Sequence, residues 1–162
     1  MAEQNQPMPA VTARAWPDMR VALVYTRWHH EYVDVLVEGA KQGCMELGVQ
    51  DQHISGHAVA GAFELPQMAA SLARSKKIDA IVALGCLIKG QTIHYEVIAQ
   101  TVTQALDQVG RDTQVATALG VITVENHQQA KDRCGGSLGN KGFEAAQAAI
   151  ELAVQMKEVS HG

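Results

Sequence analysis

The sequence predicts an α/β domain built as a three-layer sandwich, with a four-stranded parallel sheet between two helical layers. Three observations carry this: apolar runs of strand length, segments of helical period between them, and a chain of 162 residues, which suits one domain. Strands buried on both faces read as continuous apolar runs, and right-handed helical crossovers keep such strands parallel. Hydrophobic residues make up 47% of the chain and aromatic ones only 4%, so alanine, valine, leucine and isoleucine must fill the core and helices must approach closely.

The elements follow in order. Residues 1–17 carry Pro7, Pro9 and Pro17 among polar residues, and proline gives a sheet no donor, so a flexible N-terminal tail is expected before a domain over residues 18–162. "RVALVYT" reads as the first strand, followed by a helix from about Tyr32 to Leu47. "SGHAVA" and a helix from about Leu65 to Ser75 make the second unit. "DAIVALGCLI" and a helix from about Ile93 to Val109 make the third, and "VATALGVITV" opens the fourth. There Asn126 suits a helix cap, with Gln129 reaching back, and Gly135-Gly136 ends that helix after Arg133, so a break is expected between about 134 and 140. An alanine-rich amphipathic helix then runs from about Lys141 to Lys157. A flavodoxin-like strand order suits four such units.

Composition excludes several classes. A net charge of -4 gives no footprint for nucleic acid or an anionic membrane. Cys44, Cys86 and Cys134 are odd in number, widely spaced and without a C-x-x-C, which argues against a disulfide framework or a zinc site and for a cytoplasmic protein. No apolar run approaches the roughly 18 residues of a membrane span, and "MAEQNQPMPAV" lacks the features of a secretory signal. His29 and His30 are adjacent and therefore diverge, so no metal is expected. Neither G-x-G-x-x-G after a strand nor G-x-x-x-x-G-K-[ST] is present, so no dinucleotide or P-loop cradle is expected.

In open parallel sheets ligands sit beyond the carboxyl ends of the strands. Four segments lie there: "TRWHH", "AGAFEL", "LIKGQTIH" and "TVENH". In the third, Gly90 allows a close turn, Gln91 and Thr92 offer amides at a helix N-terminus, and Lys89 adds positive charge, a combination that attracts phosphate. An ordinary strand-to-helix loop accounts for these residues equally well. His94 follows in the first turn, where the helix dipole favours a neutral ring fit to accept a proton, although a lone histidine there is more often structural. Trp28 offers a flat indole for stacking, or else covers the core edge. Ala62 and its small neighbours let backbone approach a planar ligand, and Glu64 offers one carboxylate, though helix initiation explains both.

Taken together, "TRWHHEYVDVLVEGA", "GAFELP", "DAIVALGCLIKGQTIHYE", "GVITVEN" and "DRCGGSLGNKGFEAAQAAIEL" resemble the lumazine synthase family in order, over about residues 18 to 157. The resemblance implies a cofactor-free condensation of 5-amino-6-(ribitylamino)uracil with 3,4-dihydroxy-2-butanone 4-phosphate, giving 6,7-dimethyl-8-ribityllumazine in riboflavin biosynthesis. It implies that Gln91 and Thr92 hold the phosphate, that His94 moves protons, and that Trp28 stacks on the pyrimidine. It further implies a pyrimidine and ribityl pocket lined by Ala62, Phe63, Glu64, Cys86, Leu87 and Ile88. Leu119, Arg133 and Lys141 are implied to reach a neighbouring subunit's site, in a homo-oligomer built on pentamers, sometimes decamers or sixty-subunit shells.

Four positions depart from the family's usual residues. Lys89 stands for arginine, Leu119 for a common phenylalanine, His29 for a common asparagine and Trp28 for a smaller aromatic. Two other readings share the scaffold: an archaeal-type riboflavin synthase, which has no phosphate to bind, and a flavin-binding or shell-forming protein without turnover. The set Thr92, His94, Arg133 and Lys141 favours catalysis over both.

Overall fold

The computed structural model describes residues 9–162. Four parallel strands, β1 (Val21–Thr26), β2 (Ile54–Val59), β3 (Ala80–Ile88) and β4 (Ala116–Val124), form one sheet in the order β2-β1-β3-β4. This is the flavodoxin-like order expected. In register, Val21 lies opposite Ile54 on one side and Ala80 on the other, and Ala80 lies opposite Ala116.

Five helices cover the sheet: α1 (His30–Glu46), α2 (Leu65–Arg74), α3 (His94–Thr113), α4 (His127–Arg133) and α5 (Lys141–His161). The period of two along β3 assigns them to faces. Ala80, Val82, Leu84 and Cys86 enter one core with residues of α1, α4 and α5, while Ile81, Ala83 and Leu87 enter the other with residues of α2 and α3. Because both faces are covered, β3 is buried from Ala80 to Cys86 and needs no polar alternation.

Small residues let α1 and α5 touch backbone to backbone. A Cβ placed on Gly142 falls 2.0 Å from the Leu36 carbonyl oxygen, and one on Gly43 falls 2.7 Å from that of Phe143. Asn140 fixes where α5 begins: its side-chain oxygen accepts from the amides of Gly142 (2.9 Å) and Phe143 (3.1 Å), and its amide donates to Val35 O of α1 at 2.9 Å.

Several boundaries shift. α1 starts at His30, two residues early, after a left-handed His29; α3 continues to Thr113, where Gln114 turns left-handed; and α5 continues past Lys157 to His161. The break expected after α4 is a short antiparallel hairpin of β5 (Cys134–Gly136) and β6 (Gly139–Asn140). Asn126 caps α4 as read, accepting from Gln129 N at 2.9 Å, while Gln129 Oε1 accepts from Glu125 N at 2.8 Å.

Of the expected tail, residues 1–8 lie outside the described residues. Further on, Val11, Ala15 and Trp16 pack against the α1/α5 core, Ala15 N donates to Leu47 O at 2.9 Å, and Lys157 Nζ stands 4.1 Å from the centre of the Trp16 ring. Among the described residues no helix is long and apolar enough to cross a membrane.

Candidate active site

The chain leaves β1 through α1 on one face of the sheet and leaves β3 through α3 on the other. Adjacent strands that diverge in this way open a crevice at their carboxyl ends. A cleft of about 390 Å³ lies there. Eight residues singled out from the sequence line it. Trp28 comes from the loop after β1; Ala62, Phe63 and Glu64 form a single 3-10 turn after β2; Cys86, Leu87 and Ile88 end β3; and His94 begins α3.

The cleft offers two large aromatic faces, since Trp28 is 71% exposed and Phe63 is 55% exposed. A Cβ on Gly61 would stand 3.6 Å from Trp28 Cδ1, so the indole borders a backbone that has no side chain to hold it off. Glu64 keeps part of its acceptor capacity for a ligand: Oε2 accepts from Gly61 N at 2.9 Å, which closes the turn, and the second oxygen is uncommitted among the described residues. Cys86 contributes an apolar wall and no nucleophile. Burial pushes its thiol up to about 12, helped by Cys134 and Glu31.

Beyond β3 the "KGQT" loop stands at the head of α3, a 20-residue helix. Lys89 N still belongs to the sheet, donating to Val124 O at 2.9 Å. The amides of Gln91, Thr92 and Ile93 donate to no acceptor among the described residues, and the Thr92 hydroxyl accepts from His94 N at 3.3 Å, keeping its own proton to donate. Gly90 differs from expectation. It has no positive φ, and a Cβ there would meet nothing within 4 Å, so no close turn inside this chain requires it.

Leu119, Arg133 and Lys141 are not in this cleft. They line a second one, of about 380 Å³, along β4 and the start of α5. β4 is an edge strand whose outer side pairs with nothing among the described residues, and Leu119 on it is 46% exposed. Arg133 donates to Gln129 O at 3.1 Å and meets no carboxylate among the described residues, whereas Lys141 is paired with Glu144 at 2.8 Å.

Five further residues line the first cleft: Thr26, His29, Gly61, Tyr95 and Ile98. Thr26 and His29 lie in the "TRWHH" segment and Gly61 in "AGAFEL", both read from the sequence as strand ends. Thr26 shares the strand period of Ala22 and Val24, and Ile98 lies one helical turn beyond His94. Burial, then Glu96, raises the Tyr95 phenol, with Lys89 opposing, so its hydroxyl remains a neutral donor. His29 faces the cleft while His30 lies exposed, 4.0 Å from Asp34, so the two imidazoles do diverge. Among the described residues no three His, Cys, Asp or Glu side chains gather as a metal site.

Comparison with known proteins converges on one family. The family described as 6,7-dimethyl-8-ribityllumazine synthase matches residues 18–157. The chain is 42% identical over 154 residues to the 6,7-dimethyl-8-ribityllumazine synthase of Streptomyces avermitilis, with 94% of each chain covered. It is 44% identical over 133 residues to the protein of that name from Prosthecochloris aestuarii, covering 82% of this chain and 86% of the relative. The corresponding protein of Chlorobium limicola is 42% identical over 135 residues, covering 83% and 87%.

Proposed function

The chain belongs to the 6,7-dimethyl-8-ribityllumazine synthase family, and from that premise we propose how its residues divide the work. It condenses 5-amino-6-(ribitylamino)uracil with 3,4-dihydroxy-2-butanone 4-phosphate, releasing phosphate and water, to give 6,7-dimethyl-8-ribityllumazine in riboflavin biosynthesis. Trp28 stacks on the pyrimidine. Ala62, Phe63, Cys86, Leu87 and Ile88 enclose it, and the uncommitted oxygen of Glu64 accepts from a ribityl hydroxyl. The free amides of Gln91 and Thr92, with the Thr92 hydroxyl, receive the phosphate at the head of α3, and Lys89 lends it charge.

The amine of the pyrimidine attacks the ketone carbon, the adduct loses water to an imine, loss of a C3 proton expels phosphate to leave an enol that becomes a C3 ketone, and the second amine closes the ring on that carbon with loss of a second water. Each step moves a proton, and His94 is the imidazole beside the phosphate loop to carry it. Amine and ketone react readily once aligned, so holding them together supplies more of the acceleration than acid-base help.

One observation carries the assembly: Arg133, Lys141 and Leu119 line their own cleft on an unpaired edge, apart from His94 and the phosphate loop. An unpaired nine-residue edge strand invites cover. We therefore assign these three residues to the site of the adjacent protomer in a ring built on pentamers, with Arg133 on the phosphate and Lys141 toward the pyrimidine. We place the reaction in the cytoplasm, in keeping with three free cysteines. Mixing the purified protein with both substrates and following lumazine fluorescence tests the chemistry, and sedimentation tests the ring. Product formed by a pentamer or a multiple of one is expected; no product, or a fully active monomer, contradicts the assignment.

A further inference from the structure

Thr26 is the one polar residue buried among the described residues, at 4% exposure, and its Oγ1 has no hydrogen-bond partner there. A buried hydroxyl without a partner weakens a fold, and valine, which has the same shape, would remove that penalty. The neighbours are those a valine would suit: Thr26 ends β1 beside Val59 of β2, and it points to the face that holds Ala22 and Val24. Thr26 nevertheless lines the cleft that holds Trp28, Phe63 and His94.

Gly85 of β3 stands beside it. A Cβ there would lie 3.3 Å from Thr26 Cγ2 and 3.4 Å from Oγ1, so the missing side chain is what gives Thr26 room to turn about its Cα–Cβ bond. The hydroxyl is sealed from solvent in the ligand-free chain, so it meets a ligand seated on the floor of the cleft only by turning about that bond. That floor is otherwise apolar, made by Ala62, Cys86 and Leu87. A planar heterocycle pressed onto it has polar ring atoms that need partners at depth, and a single well-placed hydroxyl sets its orientation.

We propose that Thr26 is a further substrate-binding residue, its hydroxyl pairing with a polar ring atom on the inner edge of the pyrimidine and so fixing how deep the ring seats. This rests on the lumazine synthase activity assigned above. Neither Gln91 nor Thr92 is replaced by it, since both lie at the head of α3 and serve the other substrate.

The test compares wild type, Thr26→Val and Thr26→Ser by equilibrium titration with 5-amino-6-(ribitylamino)uracil, steady-state kinetics and thermal unfolding of the ligand-free protein. Losing one hydrogen bond to a neutral partner predicts that Thr26→Val raises the Kd and KM for the pyrimidine about tenfold. The KM for the four-carbon phosphate should stay within about twofold, the ligand-free Tm should equal or exceed that of wild type, and Thr26→Ser should bind like wild type. Unchanged pyrimidine binding by Thr26→Val overturns the proposal. So does a lowered ligand-free Tm with unchanged binding, which assigns the hydroxyl to a partner inside the protein. Binding that weakens in a protein without turnover keeps Thr26 as a ligand and removes the catalytic assignment instead.

Discussion

Gly142→Ala tests the close contact on which the α1/α5 layer depends, and it does so against the local preference of the chain. Alanine is the better helix former by about 1 kcal/mol, so helix propensity alone predicts a more stable protein. The packing predicts the reverse. The new Cβ would stand 2.0 Å from Leu36 O and 2.7 Å from Leu36 C, backbone atoms that cannot swing aside, whereas real Cβ contacts stay above 3.0 Å. The two helices must therefore part by about 1 Å, enough to forfeit a quarter to a half of the dispersion energy of the contacts on either side. Overpacking strain of about 3 kcal/mol, with the helix preference set against it, leaves a net loss of about 2 kcal/mol. For a chain of this size that lowers Tm by roughly 4–8 °C. Thermal and urea unfolding at one fixed protein concentration measure it, because subunit association shifts midpoints. A variant as stable as wild type, or more so, refutes the reasoning.

Arg133→Ala should raise the KM for the phosphorylated substrate about 10- to 100-fold, the worth of a charge-assisted contact, while the KM for the pyrimidine changes little; steady-state kinetics with each substrate varied separates the two. His94→Ala should slow turnover and leave substantial activity, and a variant with wild-type turnover across neutral pH contradicts the proton-transfer role. Asn126→Ala removes the bond that its Oδ1 accepts from Gln129 N at the start of α4 and leaves the one from Glu125 N to Gln129 Oε1 in place, so urea unfolding should show a loss of about 1 kcal/mol. Burial pushes the Cys44 thiol up to about 12, which means the folded chain keeps a proton that the unfolded chain releases from about pH 9. The stability tied to that thiol is complete below pH 9 and is lost as pH rises toward 12, so Tm should fall more steeply between pH 9 and 10.5 in wild type than in Cys44→Ala.

The elements legible in the sequence are those written by local pattern. β3 is one uninterrupted apolar run because both its faces are covered, and Asn126 with Gln129 marks the start of α4 through bonds that span only three and four residues. The first cleft was legible for the same reason, since each of its segments directly follows a strand and the ends of parallel strands converge. What stayed hidden depends on distant partners. Thr26 looks like any strand residue until Gly85 and the empty hydrogen-bonding site are known. The length of α3 is decided by Gln114 turning left-handed, which glutamine rarely signals. The glycine at position 90 suggested a tight turn, yet the space around it is open within one chain. That Leu119, Arg133 and Lys141 stand apart from His94 is a property of the sheet edge and is invisible in their spacing.

The central claim is that each site joins the first cleft of one protomer to the basic edge of the next. Ala62→Trp fills the cleft, and Arg133→Ala combined with Lys141→Ala removes the edge; each protein alone should be nearly inactive at low substrate. The decisive measurement is lumazine formation after equal amounts of the two are dissociated, mixed and reassembled. Shared sites predict recovery of about one quarter of wild-type activity, because random neighbours leave one site in four with both halves intact. Activity no greater than the sum of the separate variants would show instead that each chain carries a whole site.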